Sequence, residues 1–274
     1  MLISSEIPIK YLNDLGYLND FPFMINIYRD IPEYNEYYIN ACKNSKYSFL
    51  DSGFFENWEN GTNFDTSIKA LEEGVNLFHP TYVFSEEKFG DWEYTVNKSK
   101  EFKEYFGKRV NIATCVHGKT YDDFKKCYNS LLCGHFCDLI AFSHKFAFHD
   151  DYIKEHPYLK CDNKYLEYSL VRIAVISEVL NSSWYYKPVH LLGCNNPIEI
   201  KLLGMYHNCI ISADTSNPII YGSEMKMYND IGVLPEGKIH QGKYYMDRIF
   251  NNKIEDCFYA IKSNMMWLKG GDNV

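Results

Sequence analysis

The sequence lacks an excess of positive charge. Its 28 Lys and Arg face 36 Asp and Glu, a formal charge of −8. That excludes a protein that coats nucleic acid by bulk neutralisation of phosphates, though not one with a local basic face. It also lacks any apolar run near the roughly 18 residues that a membrane helix needs. The opening MLISSEIPIK has no basic segment leading into an apolar one, so neither a membrane span nor a secretory signal is expected. No Gly-x-Gly-x-x-Gly follows an apolar run, which removes the dinucleotide-binding fingerprint. No Pro/Gly/Ser-rich linker interrupts the chain, so residues 1–274 are expected to form one domain. The nine cysteines are an odd number and several sit inside apolar runs such as NIATCV and CIISA. This is the pattern of reduced, buried thiols in a cytoplasmic protein.

What is present is ordinary in bulk and unusual in one respect. Hydrophobic residues make up 46% and charged residues 23%, as in globular proteins, while aromatics reach 17% with 24 Tyr and 18 Phe. Together with abundant Asn, Lys and Ile, the tyrosines fit an AT-rich coding sequence, and they are not read as a base-stacking platform.

Short apolar runs alternate with amphipathic stretches. Runs near residues 47, 77, 110, 138, 189 and 209 read as strands. Helices are expected over 66–74, 91–105, 121–132 (capped by Thr120), 164–180 and 197–205. With MINIY (24–28) and a weakly marked strand near the C-terminus the count becomes eight. Strand–helix alternation implies parallel strands joined by right-handed crossovers, and eight of them imply a (β/α)8 TIM-type barrel. Residues 144–163 are expected to be a lid or insertion loop, and 223–274 a helical C-terminal extension with helices over 222–231 and 243–267.

In such a barrel the active site gathers at the C-terminal strand ends. There the chain places Asp51, Ser52 and Gly53; His79 and Pro80; His117 and Gly118; Ser143 and His144; Gly193; and Asp214. The last belongs to CIISADTSNP, a buried strand that delivers one carboxylate. An acid there is costly unless it is paired or used, and it reads either as the cap of the next helix or as a reactive group.

Four segments in order, YSFLDSGFF, ATCVHGKTYDDFKKC, PVHLLGCNNPIEI and CIISADTSNP, resemble the tRNA-guanine transglycosylase superfamily. The resemblance is strongest to its phage and bacterial members that place 7-deazaguanine bases in DNA, and it spans about residues 47–222. The matching positions are Asp51-Ser52-Gly53-Phe54, His117-Gly118 in place of the family's Gln-Gly, Leu192-Gly193, and Asp214 with Pro218. The resemblance implies that Asp214 attacks C1′ of the sugar. Asp51 would hold the purine edge and act as acid and base, with Ser52, Gly53, Phe54, His117, Gly118 and Gly193 lining the base site. Ser143 and His144 stand where the family has a Gly-Gly-Leu recognition loop. The family's second purine-binding acid falls in PTYVFSEEKFGD, with Asp91 as candidate and Glu86 or Glu87 as rivals.

Family members acting on tRNA carry a C-terminal zinc site built from three cysteines and a histidine. After Asp214 this chain has only Cys257 and His240, so that zinc subdomain is absent, and the Cys133/Cys137 pair with His135 between does not make a ligand set. No metal and no cofactor is therefore expected. The expected function is exchange of guanine in DNA for a 7-deazaguanine such as preQ0. Its alternatives are the same exchange on tRNA, or a non-catalytic barrel serving as a binding subunit. Lys119, Lys125, Lys126, Lys201, Lys226, Lys238, Lys243 and Arg248 are candidate phosphate contacts or a solvated face. The expected partners are DNA, with tRNA as alternative, and a second copy or helper protein is compatible with the reading. A membrane is not a partner, and the expected location is the cytoplasm, that of the host if the protein is phage-encoded.

Overall fold

A computed structural model describes residues 1–55, 63–232, 234 and 245–270. Eight strands run through it: β1 (Leu2–Ser4), β2 (Phe23–Ile25), β3 (Phe49–Asp51), β4 (Tyr82–Phe84), β5 (Asn111–Cys115), β6 (Leu139–Phe142), β7 (Val189–Leu191) and β8 (Ile210–Asp214). They form one sheet in the order β1-β8-β7-β6-β5-β4-β3-β2, with helices between successive strands. This is the connectivity of a (β/α)8 TIM-type barrel. Strands buried on both faces explain why the runs read as continuous rather than alternating apolar segments.

The residues fall into two compact units. The first comprises Met1–Asp20, Ser143–Trp184 and His190–Val274. It contains the parallel pair of β1 and β8, with Ser4 opposite Asp214. Around that pair stand α1 (Leu12–Leu15), α6 (His149–Glu155), α7 (Lys164–Asn181), α8 (Pro197–Tyr206), α9 (Asn217–Ser223) and α10 (Ile254–Leu268). The side chain of Asn163 caps α7 by accepting from the N–H groups of Tyr165 and Leu166.

The second unit comprises Phe21–Phe142 and Tyr185–Val189. There β2, β3, β4, β5 and β6 pair in parallel, each with its neighbour in the chain. The helices between them are α2 (Pro32–Lys43), α3 (Ile68–Phe78), α4 (Trp92–Phe106) and α5 (Tyr121–Cys133). Thr120 caps α5 as its sequence suggests, accepting from Asp123 N at 3.1 Å. At the far end of α5 the buried Lys187 ammonium donates to the carbonyls of Leu131 and Gly134, a cation where the helix dipole is negative.

Five expectations are corrected. The eighth strand is not near the C-terminus but is β1, at residues 2–4. His79 and Pro80 do not end a strand. Helix α3 continues to Phe78, His79 terminates it in the left-handed conformation (φ 48°), and β4 begins only at Tyr82, so His79 lies at the wrong end of β4 for a catalytic rim. The 144–163 segment is not bare loop. It holds α6, stitched to α7 by Tyr152 to Glu178 (3.1 Å) and His149 to Glu167 (3.3 Å). Within 222–231, α9 stops at Ser223 and Met225 adopts φ 57°, so no helix runs there. In the 243–267 stretch a short 3-10 turn precedes α10, and 243–244 lie outside the described residues.

One buried group gives the first unit a pH dependence. His207 follows the last turn of α8 and meets Ser177 Oγ at 3.0 Å. Burial pushes its imidazole below the ordinary 6.5, so desolvation outweighs the helix terminus, which would favour the cation. The folded state thus binds fewer protons than the unfolded one below about pH 6.5, and stability falls as the pH drops through that window. His207→Gln is expected to flatten the fall in urea midpoint between about pH 7 and pH 5; an unchanged pH profile would contradict this.

Candidate active site

Strand β8 puts Ser212 and Asp214 on one face, two residues apart. A single imidazole bridges them. His190 Nδ1 lies 2.8 Å from Ser212 Oγ and its Nε2 lies 2.9 Å from Asp214 Oδ1. With Asp214 ionised, the ring proton sits on Nε2 and Ser212 can donate to Nδ1. Gly193 N adds a second bond to the same oxygen, at 3.2 Å. Asp214 is 3% exposed, yet both bonds fall on Oδ1, and among the described residues nothing is bonded to Oδ2.

These contacts decide between the two readings of Asp214. A cap or Asx-turn would turn the carboxylate onto the amides that follow, but the turn bond to Asn217 N is made by Thr215 Oγ1, at 3.2 Å. Ser216, at the cap position of α9, makes no side-chain cap bond. Asp214 is therefore not the cap; its carboxylate is held from β7 and the turn after it.

That turn is itself fixed from beneath. Gly193 takes φ 60°, and a Cβ there would press on the His144 ring, so glycine suits both the backbone and the close approach. Arg172, wholly buried on α7, donates to Gly193 O (2.7 Å) and Leu192 O (3.1 Å), and stands 3.5 Å from the buried carboxylate of Glu199. Glu199 Oε1 accepts in turn from Asn195 N and Asn196 N. Asn195 Nδ2 donates to His144 O at 2.8 Å, and Ser143 Oγ accepts from Lys145 N.

Of the expected residues, Asp214, Gly193 and His144 come together in this unit. His190, Arg172, Glu199 and Asn195 join them and were not singled out from sequence. His190 carried a signal, an imidazole in the middle of the apolar strand PVHLL. Arg172 carried one too, since it shares the buried stripe of Ser169, Ile176 and Val179 at helical spacing.

In the second unit, Asp51 ends β3 and its Oδ1 accepts from Gly53 N at 2.7 Å; Ser52 Oγ accepts from Phe54 N at 3.2 Å. The DSGF segment is thus a self-bonded turn whose Gly53, at φ 83°, packs against Ile27. His117, 5% exposed, meets Glu87 Oε2 through Nε2 at 2.7 Å, with the Phe89 ring edge-on to it. Gly118 lies against the backbone of Phe124 in the first turn of α5. Asp91 takes another role. It caps α4 by accepting from Tyr94 N at 3.1 Å and pairs with Lys88 at 3.0 Å; the Lys88 ammonium and the Tyr94 amide hold its carboxyl below the usual range. The acid of this loop that faces His117 is Glu87.

The candidate phosphate contacts are mostly engaged locally. Lys125 pairs with Asp122, Lys126 with Asp123 and Arg248 with Glu224, while Lys201 covers the Trp267 ring. Lys238 and Lys243 lie outside the described residues, as does His240.

The fold and this constellation define the class: a TIM-type barrel with a buried, oriented carboxylate at the C-terminal end of a strand. Neither the protein-family models nor the curated proteins yield a match. Among solved structures, the YdjI aldolase from Escherichia coli K12 is similar over 98% of each chain, at 13% identity and a TM-score of 0.45. Among the described residues no helix is long and apolar enough to cross a membrane.

Proposed function

We propose that this protein is a base-exchange transglycosylase that replaces guanine in DNA with a 7-deazaguanine base. The observation that carries the reading is the Asp214 carboxylate. Oδ1 is occupied by His190 and Gly193 while, among the described residues, nothing is bonded to Oδ2, the arrangement a carboxylate nucleophile needs. Oδ2 attacks C1′ as the C1′–N9 bond breaks, and the electron pair leaves with N9 of guanine, which takes up a proton from solvent water. The incoming base then gives up its N9 proton to solvent and attacks C1′, releasing Asp214 with overall retention. His190 and Gly193 orient the attacking group before it reacts and spread its charge, which lowers the cost of holding it buried. A base inside a duplex must first leave the stack.

The test is incorporation. The protein is incubated with labelled guanine or preQ0 and, separately, duplex DNA, single-stranded DNA and tRNA. Label is expected in DNA. Label in tRNA alone would transfer the same chemistry to the other polymer, and label in none would leave the barrel as a binding subunit.

A further inference from the structure

We infer that Glu87, Cys115 and His117 form a binding site for a divalent transition metal of the zinc class. A carboxylate oxygen, a thiol sulfur and an imidazole nitrogen from these residues all lie within 4.8 Å of one another. The inference departs from the metal-free expectation and stands independently of base exchange.

The local fold explains the convergence. Cys115 closes β5 and His117 follows two residues on, so in extended chain their side chains share a side. Thr114, between strand neighbours, points the other way, where it bonds Ser85 Oγ (2.9 Å) and Ser99 Oγ of α4 (2.8 Å). Cys115 therefore points away from the helical layer. Glu87 arrives from the loop after β4, the parallel neighbour of β5. The adjacent acids of that loop part company. Glu86 is taken up by Lys98 (3.2 Å) and Tyr94 (2.6 Å) of α4, and Glu87 turns to His117.

Charge and softness then indicate the ligand. Cys115 and His117 are buried and the Glu87 side chain is 15% exposed. Among the described residues no lysine or arginine forms an ion pair with Glu87. A carboxylate so placed favours a nearby cation; Glu87 and His117 meet at 2.7 Å, and the Cys115 thiol, whose Sγ also approaches Val116 O at 4.0 Å, stands beside them. Thiolate and imidazole select zinc-like metals, whereas magnesium and calcium take oxygen ligands. Zinc would require bonds of about 2.3 Å to sulfur and 2.0–2.2 Å to nitrogen and oxygen. Three protein donors leave a fourth position for water or a substrate oxygen, the composition of a catalytic rather than a structural zinc site. The Phe89 ring beside His117 limits access from that flank.

The 274-residue chain, freed of metal with a chelator, is titrated with Zn²⁺ and with Co²⁺. One tight equivalent per chain is expected, with thiolate-to-cobalt charge-transfer absorption that Cys115→Ser removes. Glu87→Gln and His117→Asn should weaken binding by at least about tenfold, and a given Zn²⁺ concentration should raise the melting temperature of the parent chain more than that of Glu87→Gln. Circular dichroism of the metal-free variants separates lost binding from lost folding. Absence of a tight equivalent, or cobalt absorption undiminished in Cys115→Ser, would overturn the site. Because none of these readouts is base exchange, failure here and failure of the transglycosylase reading are distinguishable.

Discussion

Asp214→Asn is expected to lower base exchange by about 10⁴-fold or more and to eliminate the covalent protein–nucleic acid adduct. Asparagine is isosteric, and its amide oxygen can still accept from His190 Nε2 and Gly193 N, so the barrel should keep its melting temperature within a few degrees. What is lost is the anionic lone pair at Oδ2. A neutral amide cannot attack C1′ with useful nucleophilicity. Gel-stable adduct formation with labelled DNA reads the loss of the adduct. A fully active Asp214→Asn protein would mean that another group is the nucleophile.

Arg172→Leu is expected to produce the largest loss of stability. The guanidinium is wholly buried and serves three partners: the carbonyls of Leu192 and Gly193 and the carboxylate of Glu199. Removing one partner of a buried ion pair costs about 3–5 kcal/mol, mostly because the other charge is stranded. For a chain of this size that corresponds to a fall in melting temperature of roughly 10 °C. Adding Glu199→Gln to the variant should recover part of the loss by neutralising the stranded carboxylate. Thermal unfolding of single and double variants checks both, and a single variant that melts within about 2 °C of the parent would exclude the tethering role.

The alternation of apolar runs and amphipathic helices was legible because strands buried on both faces and helices with one buried stripe differ in period. What escaped were elements whose identity depends on distant partners. The three residues of β1 carry almost no local signal, and only pairing with β8 makes them a strand. His79 was misplaced because helix α3 runs further than its periodicity suggested and ends in an unusual left-handed residue. In the site, Asp214 and Gly193 were readable as strand-end residues. Their supports were not, since Arg172, His190 and Glu199 come from three separate elements that sequence alone does not bring together. Asp91 had a local explanation, an aspartate three residues before the amide that it caps, while Glu87 had none until β4 and β5 were seen side by side.

The pairing of β1 with β8 also orders events in time. Leu2 lies opposite Ser212 and Ser4 opposite Asp214, so β1 waits until β8 has been made before it finds this neighbour. Strands β2 to β6, each paired with the next in sequence, can associate long before that. Closing so wide a loop is entropically slow, and until it closes β1 is an unpaired edge open to other chains. Ser4, the partner of Asp214 across the two strands, therefore reaches its place only once β8 has been made.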